Sequence, residues 1–259
     1  MGNFRVSIVA LFLALVVAVI VPPGRQARAE GPKTFVLVHG AWVGEWYWEP
    51  VARRLRAEGH AVHPVSLTGH GKRQVDGGPH VTLQDHVDDV VDVITENELT
   101  GVYLVAHSYG GRPATEAWDR ARGRVHHVVY VDAVAPLSDG MAAIPAEDGA
   151  LAAIRQRFPA LAAGGMLPVR PQMAEAMRAR SAPQSLKTLF GAIFLRYGPL
   201  PGETRRTFVV AARNPAATFR QTAGRLARDP RWRIVELDAG HDVAGDAPGA
   251  LAALLMGLE

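Results

Sequence analysis

From Glu30 onward, short apolar runs alternate with longer stretches in which apolar residues recur at helical spacing. The runs at 35–39, 61–65, 102–106, 126–131, 207–211 and 233–237 are rich in valine, isoleucine and aromatics. Such runs read as strands buried on both faces. The stretches at 46–58, 83–98, 111–122, 215–227 and 248–258 read as amphipathic helices. Strand and helix taking turns predicts an α/β fold, a mostly parallel sheet flanked by helices. The rhythm breaks between residues 136 and 202, a segment rich in Ala, Met, Pro and Gly with short helical patterns at 147–158, 171–180 and 185–197. An insertion after the fourth strand predicts a small helical cap. No repeat or long linker interrupts the rest, so residues 30–259 read as one domain, long enough to bury a substantial core.

The first 29 residues follow another pattern. Arg5 precedes an almost unbroken apolar stretch from Val6 to Val21, then Pro22-Pro23-Gly24 and the small-x-small triplet Ala27-Arg28-Ala29. A charged start, an apolar run and a cleavage-type triplet predict a secretory signal peptide over 1–29, and a periplasmic or secreted product with no stable membrane association. An uncleaved N-terminal membrane anchor is the alternative, because the run is only slightly short for a span.

Charge and cysteine content then narrow the function classes. The chain has 28 Lys+Arg and 25 Asp+Glu; Arg5, Arg25 and Arg28 would leave with the signal, making the counts equal. No basic excess remains to propose nucleic acid as a partner. The absence of cysteine excludes disulfides and a cysteine nucleophile. Asp85, Asp88, Asp89 and Asp92 share one helix face and read as a solvated stripe. His60, His63, His126 and His127 lack the companions a zinc site needs, so no metal is expected.

The candidate chemistry lies at strand ends. The run Val102–Val105 leads into Ala106-His107-Ser108-Tyr109-Gly110 and then a helix. A serine between a buried strand and a helix, flanked by small residues, has the form of a nucleophile elbow. That tight turn is needed because a serine hydroxyl must reach both a base and a substrate carbonyl. Ala106 stands where such turns usually carry glycine. The Tyr109 amide, at the helix start, points where negative charge would develop, and the Ala41 amide after His39-Gly40 is the second candidate oxyanion donor. A histidine, His241, follows the last strand in Asp238-Ala239-Gly240-His241.

With these residues in this order, the chain resembles the α/β-hydrolase superfamily over nearly all its length after residue 33. More narrowly it is similar to the branch of plant methylesterases, hydroxynitrile lyases and bacterial esterase-like proteins. The resemblance is carried by His39-Gly40-Ala41-Trp42, Trp46 and Trp48, Leu67-Thr68-Gly69-His70-Gly71, Val105 to Gly111, Val129 to Ala133, and Gly240-His241. It implies a Ser/His/acid triad with no cofactor. In many such proteins the acid follows the penultimate strand, but here residues 214–218 contain none, and nothing there is expected to orient His241. Asp132, ending the strand after the elbow, is the expected third member; Asp139 is a reserve, and Asp238 and Asp242 lie too close to His241 in sequence.

Trp42 and Tyr109 adjoin the oxyanion donors and are expected as pocket walls, with Trp46 and Trp48 in the core and His39 and His107 shaping loops by hydrogen bonding. The expected reaction is hydrolysis of a small carboxylic ester through an acyl-enzyme. Two other readings stay open. A hydroxynitrile lyase would typically carry threonine at Gly40 and lysine at Asp242, and this chain has neither. A non-catalytic binding protein on the same fold would explain the missing acid after the penultimate strand.

Overall fold

The computed structural model describes residues 31–137, 143–144, 156 and 164–259. The expected signal peptide, the helical pattern at 147–158 apart from residue 156, and the reserve acid Asp139 lie outside the described residues. In chain order the elements begin β1 (Thr34–Val38), α1 (Glu49–Ala57), β2 (Ala61–Pro64), α2 (Leu83–Glu96), β3 (Val102–His107), α3 (Gly111–Arg120) and β4 (Val125–Val131). Four two-residue strands follow: β5 (Ala143–Ile144), β6 (Met166–Leu167), β7 (Gln184–Ser185) and β8 (Ile193–Phe194). Then come β9 (Arg205–Ala211), a helix at Ala217–Leu226, β10 (Trp232–Leu237), and helices at Val243–Asp246 and Pro248–Met256.

Six strands form one all-parallel sheet in the order β10-β9-β4-β3-β1-β2. Alternate residues leave it on opposite faces. Val36, Val38, Leu104, Ala106, Val128, Tyr130, Phe208 and Val210 join a core with α2 and α3 residues. Their neighbours Phe35, Leu37, Tyr103, Val105, Val129, Val131 and Val209 join a second core with α1 and Pro248–Met256 residues. Burial on both faces is why these strands read as continuous apolar runs.

Local chemistry sets the helix starts. Thr82 caps α2: its hydroxyl accepts from the Asp85 amide at 3.3 Å while the Asp85 carboxylate accepts from the Thr82 amide at 2.7 Å. A reciprocal cap of this kind stabilises a helix end by about 1 kcal/mol. The helix expected at 46–58 begins as a 3-10 turn, Glu45–Trp48, and continues as α1. Trp48 is fully buried, whereas Trp46 is half-buried, with the Arg180 guanidinium 4.4 Å over its ring.

Three expectations are corrected. The helix expected at 185–197 is β7, a short helix at Leu186–Phe190, and β8, because Gly191 adopts extended backbone (φ −61°, ψ 144°). At 171–180 the α-helix is confined to Glu175–Arg178. The aspartate stripe is not wholly solvated either. Asp89 is buried, accepting from the Thr68 amide at 2.6 Å and pairing with Arg73, so it anchors the Leu67–Gly71 loop to α2. Asp88 fits the expected face, meeting Arg120 at 2.5 Å with half its side chain exposed.

Candidate active site

β3, β4, β9 and β10 all end at one edge of the sheet, and the chemistry collects there. His107, the last residue of β3, lies opposite Val131 of β4. The next residue on each strand is Ser108 and Asp132, so parallel register alone sets them side by side. Both take left-handed backbone, φ +52° at Ser108 and +44° at Asp132. Such a conformation costs a residue with a Cβ roughly 1–3 kcal/mol and persists where its surroundings fix it.

Several contacts fix the elbow. The Ser108 carbonyl accepts from the Val134 amide at 3.0 Å. Gly110 and Gly111 let the backbone close in, since a Cβ on either would run into the carbonyls of His39 and Val134. The 3-10 turn Ser108–Gly110 leads directly into α3. The Tyr109 amide therefore sits among the opening N–H groups of a helical run, which have no acceptor one turn back.

His241 reaches the serine from the loop after β10. Its Nδ1 lies 2.7 Å from Asp132 Oδ2 and its Nε2 lies 2.9 Å from Ser108 Oγ. A carboxylate only accepts, so Nδ1 carries the proton and Nε2 is left to accept from the serine hydroxyl. Asp132 is 1% exposed, with its amide donating to the Val209 carbonyl at 2.7 Å. The His241 side chain is 40% exposed, so the base remains open to a substrate. Geometry thus brings together the three residues expected as a triad.

Two rings bracket the imidazole. Phe219 stacks on it at 5.3 Å and 7° between planes, and His107 lies at 4.8 Å and 41°. His107 Nε2 donates to the His241 carbonyl at 2.8 Å. Burial holds His107 well below the usual histidine range, so it stays neutral beside His241. Its loop-shaping role was expected; the contribution of Phe219 was not. Phe219 comes from helix Ala217–Leu226, and nothing in its local sequence says that this helix leans over the β10 loop.

Asn214, in the segment expected not to orient His241, touches the acid. Its Nδ2 donates to Asp132 Oδ2 at 2.5 Å and lies 3.4 Å from His241 Nδ1. The 214 segment supplies no acid, yet it reaches the acid.

On the other flank, a Cβ on Gly40 would lie 3.1 Å from the Ser108 Cβ and 2.9 Å from His107 Nδ1, so the β1 loop passes close to the serine. Ala41 and Trp42 are half-buried, and Trp42 is also left-handed, at φ +67°. Gln184 Oε1 accepts from the Trp42 amide at 3.1 Å, and the Leu167 carbonyl accepts from its indole at 3.3 Å. The segment between β4 and β9 therefore holds the loop that carries Ala41.

Buried histidines complete the frame. His39 donates from Nδ1 to the Gly40 carbonyl at 2.8 Å and accepts at Nε2 from the Leu67 amide at 3.3 Å. His86 donates to the Thr68 carbonyl and accepts from the Tyr109 hydroxyl, each at 2.8 Å. Burial pushes both down to about 3, so both are neutral donor–acceptor bridges. The Tyr109 ring, expected as a pocket wall, is buried in the core, which leaves its amide as the group facing the serine. Trp42 remains half-open on the same side.

An all-parallel sheet with a serine elbow, a histidine after the last strand and a carboxylate between them defines a hydrolase of the α/β class. Residues 35–254 match the model of the alpha/beta hydrolase family, and the chain belongs to that family. A carbendazim hydrolyzing esterase of Nocardioides sp. is 34% identical over 244 residues, covering 86% of this chain and 98% of that protein. Methylesterase 7 of Arabidopsis thaliana is 36% identical over 106 residues, 40% of this chain and 41% of its own length. Among solved structures, an extracellular alpha/beta-hydrolase of a Paenibacillus species shares the fold at a TM-score of 0.66 and 23% identity, covering 86% of this chain and 98% of that one.

Proposed function

We propose that this chain hydrolyses small carboxylic esters through an acyl-enzyme on Ser108. The observation that carries the reading is the unbroken run from Asp132 Oδ2 through His241 to Ser108 Oγ, at 2.7 and 2.9 Å. His241 Nε2 takes the hydroxyl proton as Ser108 attacks the ester carbonyl. The amides of Ala41 and Tyr109 receive the charge that develops on the carbonyl oxygen. The alcohol leaves with the proton from His241, which then deprotonates a water that releases the acid and restores Ser108. Asp132 holds the imidazole in the required tautomer and stabilises its charged form. Trp42 walls the substrate on the oxyanion side.

The esterase and methylesterase names of the relatives support ester chemistry. Gly40 weighs against the lyase alternative, because a threonine side chain there would start 2.9 Å from His107 Nδ1. The reading includes export: residues 1–29 act as a cleaved signal, as their sequence pattern and an extracellular neighbour support. Among the described residues, no helix is long and apolar enough to cross a membrane. N-terminal sequencing of the exported protein should begin at Glu30; residue 1 on a membrane-bound product would reverse this part.

Ser108→Ala or His241→Ala should each lower turnover of a p-nitrophenyl ester by at least about a thousandfold without unfolding the protein. Near-wild-type turnover in either variant would remove the mechanism.

A further inference from the structure

We propose that Asn214 is a positioning residue whose amide locks the Asp132 carboxylate in the orientation that receives the His241 Nδ1–H. The inference rests on the reading of Ser108 and His241 given above. Asp132 is 1% exposed, so its oxygens must find donors within the protein. Oδ1 takes the Ala211 amide at a long 3.3 Å. Oδ2 takes both His241 Nδ1 at 2.7 Å and Asn214 Nδ2 at 2.5 Å. Carboxylate torsions are broad, and the long Ala211 bond holds only Oδ1. The Asn214 amide is the donor that fixes Oδ2 beside the imidazole.

Asn214 is itself held. Its Oδ1 accepts from the Ala216 amide at 3.0 Å, and its backbone N–H donates to the Ala211 carbonyl at 3.0 Å. Flipping the side-chain amide would set its oxygen against Asp132 Oδ2 and its NH₂ against the Ala216 N–H. Both contacts are repulsive, which settles the amide orientation.

The same nitrogen lies 3.4 Å from His241 Nδ1. Two donors make no bond, so the amide acts on the imidazole only through the Asp132 carboxylate. Its removal should therefore cost little once position 132 is itself an amide.

The test measures kcat and KM for Asn214→Ala, Asp132→Asn, the double variant Asp132→Asn/Asn214→Ala, and Ser108→Ala, with thermal unfolding to confirm folding. Asn214→Ala should lower kcat about tenfold while KM stays within about twofold. In the Asp132→Asn background the same change should lower kcat by less than about twofold, a loss of effect that mere structural support at 214 would not show. If Asn214→Ala does not fold, Asn214→Ser is measured in both backgrounds in its place. A kcat within about twofold of wild type, or an equal loss in both backgrounds, overturns the proposal. Should Ser108→Ala retain activity, the active-site reading itself fails; if it is inactive, only the role of Asn214 is in question.

Discussion

Asp132 shows how much one residue's surroundings decide. Its amide continues the β4–β9 ladder, its backbone is left-handed, and its carboxylate meets His241 Nδ1. Asp132→Asn should lower kcat by roughly two to four orders of magnitude, because an amide can hold the imidazole in the wrong tautomer. Steady-state kinetics on a folded variant checks this, and a loss under about tenfold would move the acid elsewhere. Ser108, His241 and Asp132 were legible because each directly follows or closely trails an apolar run, and strand ends in a parallel sheet share an edge. Asn214 and Phe219 were not. Asn214 carries no acid, and its hydrogen bond to Asp132 forms only once β9 lies beside β4. Tyr109 sent a mixed signal: its amide position follows from the turn, but its ring is drawn inward by His86.

At the level of elements, the six long strands were readable to within two residues at each end, the central β1, β3, β4 and β9 because both their faces are buried. Helices with a clear apolar stripe and a cap, such as α2, were equally plain. The segment between β4 and β9 is harder to read from sequence. Its apolar residues suggested helices, but Gly191 ends one after five residues and the chain returns as β8, paired with β5. Short strands of two residues carry no period to detect. The aspartate stripe failed for a related reason. Spacing shows that Asp89 shares a face with its neighbours, but the Arg73 and Thr68 that draw it inward belong to a distant loop.

Across the whole molecule, the burial of histidine couples the site to pH. Burial pushes His39, His70 and His86 down to about 3 and His127 to about 4. Each is lower folded than unfolded, so its contribution to stability is full above about pH 6.5 and is lost as pH falls toward the folded value. Near pH 5 these four groups are neutral in the fold and charged in the unfolded chain, so unfolding takes up about four protons. Urea unfolding from pH 7 to 5 should show stability falling by up to about 1.4 kcal/mol per pH unit for each of them. A flat profile would mean that they are not buried as described. His39 and His86 bridge the loops on either side of Ser108, so acid should loosen the site along with the fold. That this fold directs an acyl group onto one serine can be read by mass spectrometry of the protein quenched during turnover of a p-nitrophenyl ester. The spectrum should show a mass gain of one acyl group, mapped to the peptide containing Ser108 and absent from Ser108→Ala. Acylation at another residue, or rapid turnover with a fluorophosphonate probe failing to label Ser108, would contradict it.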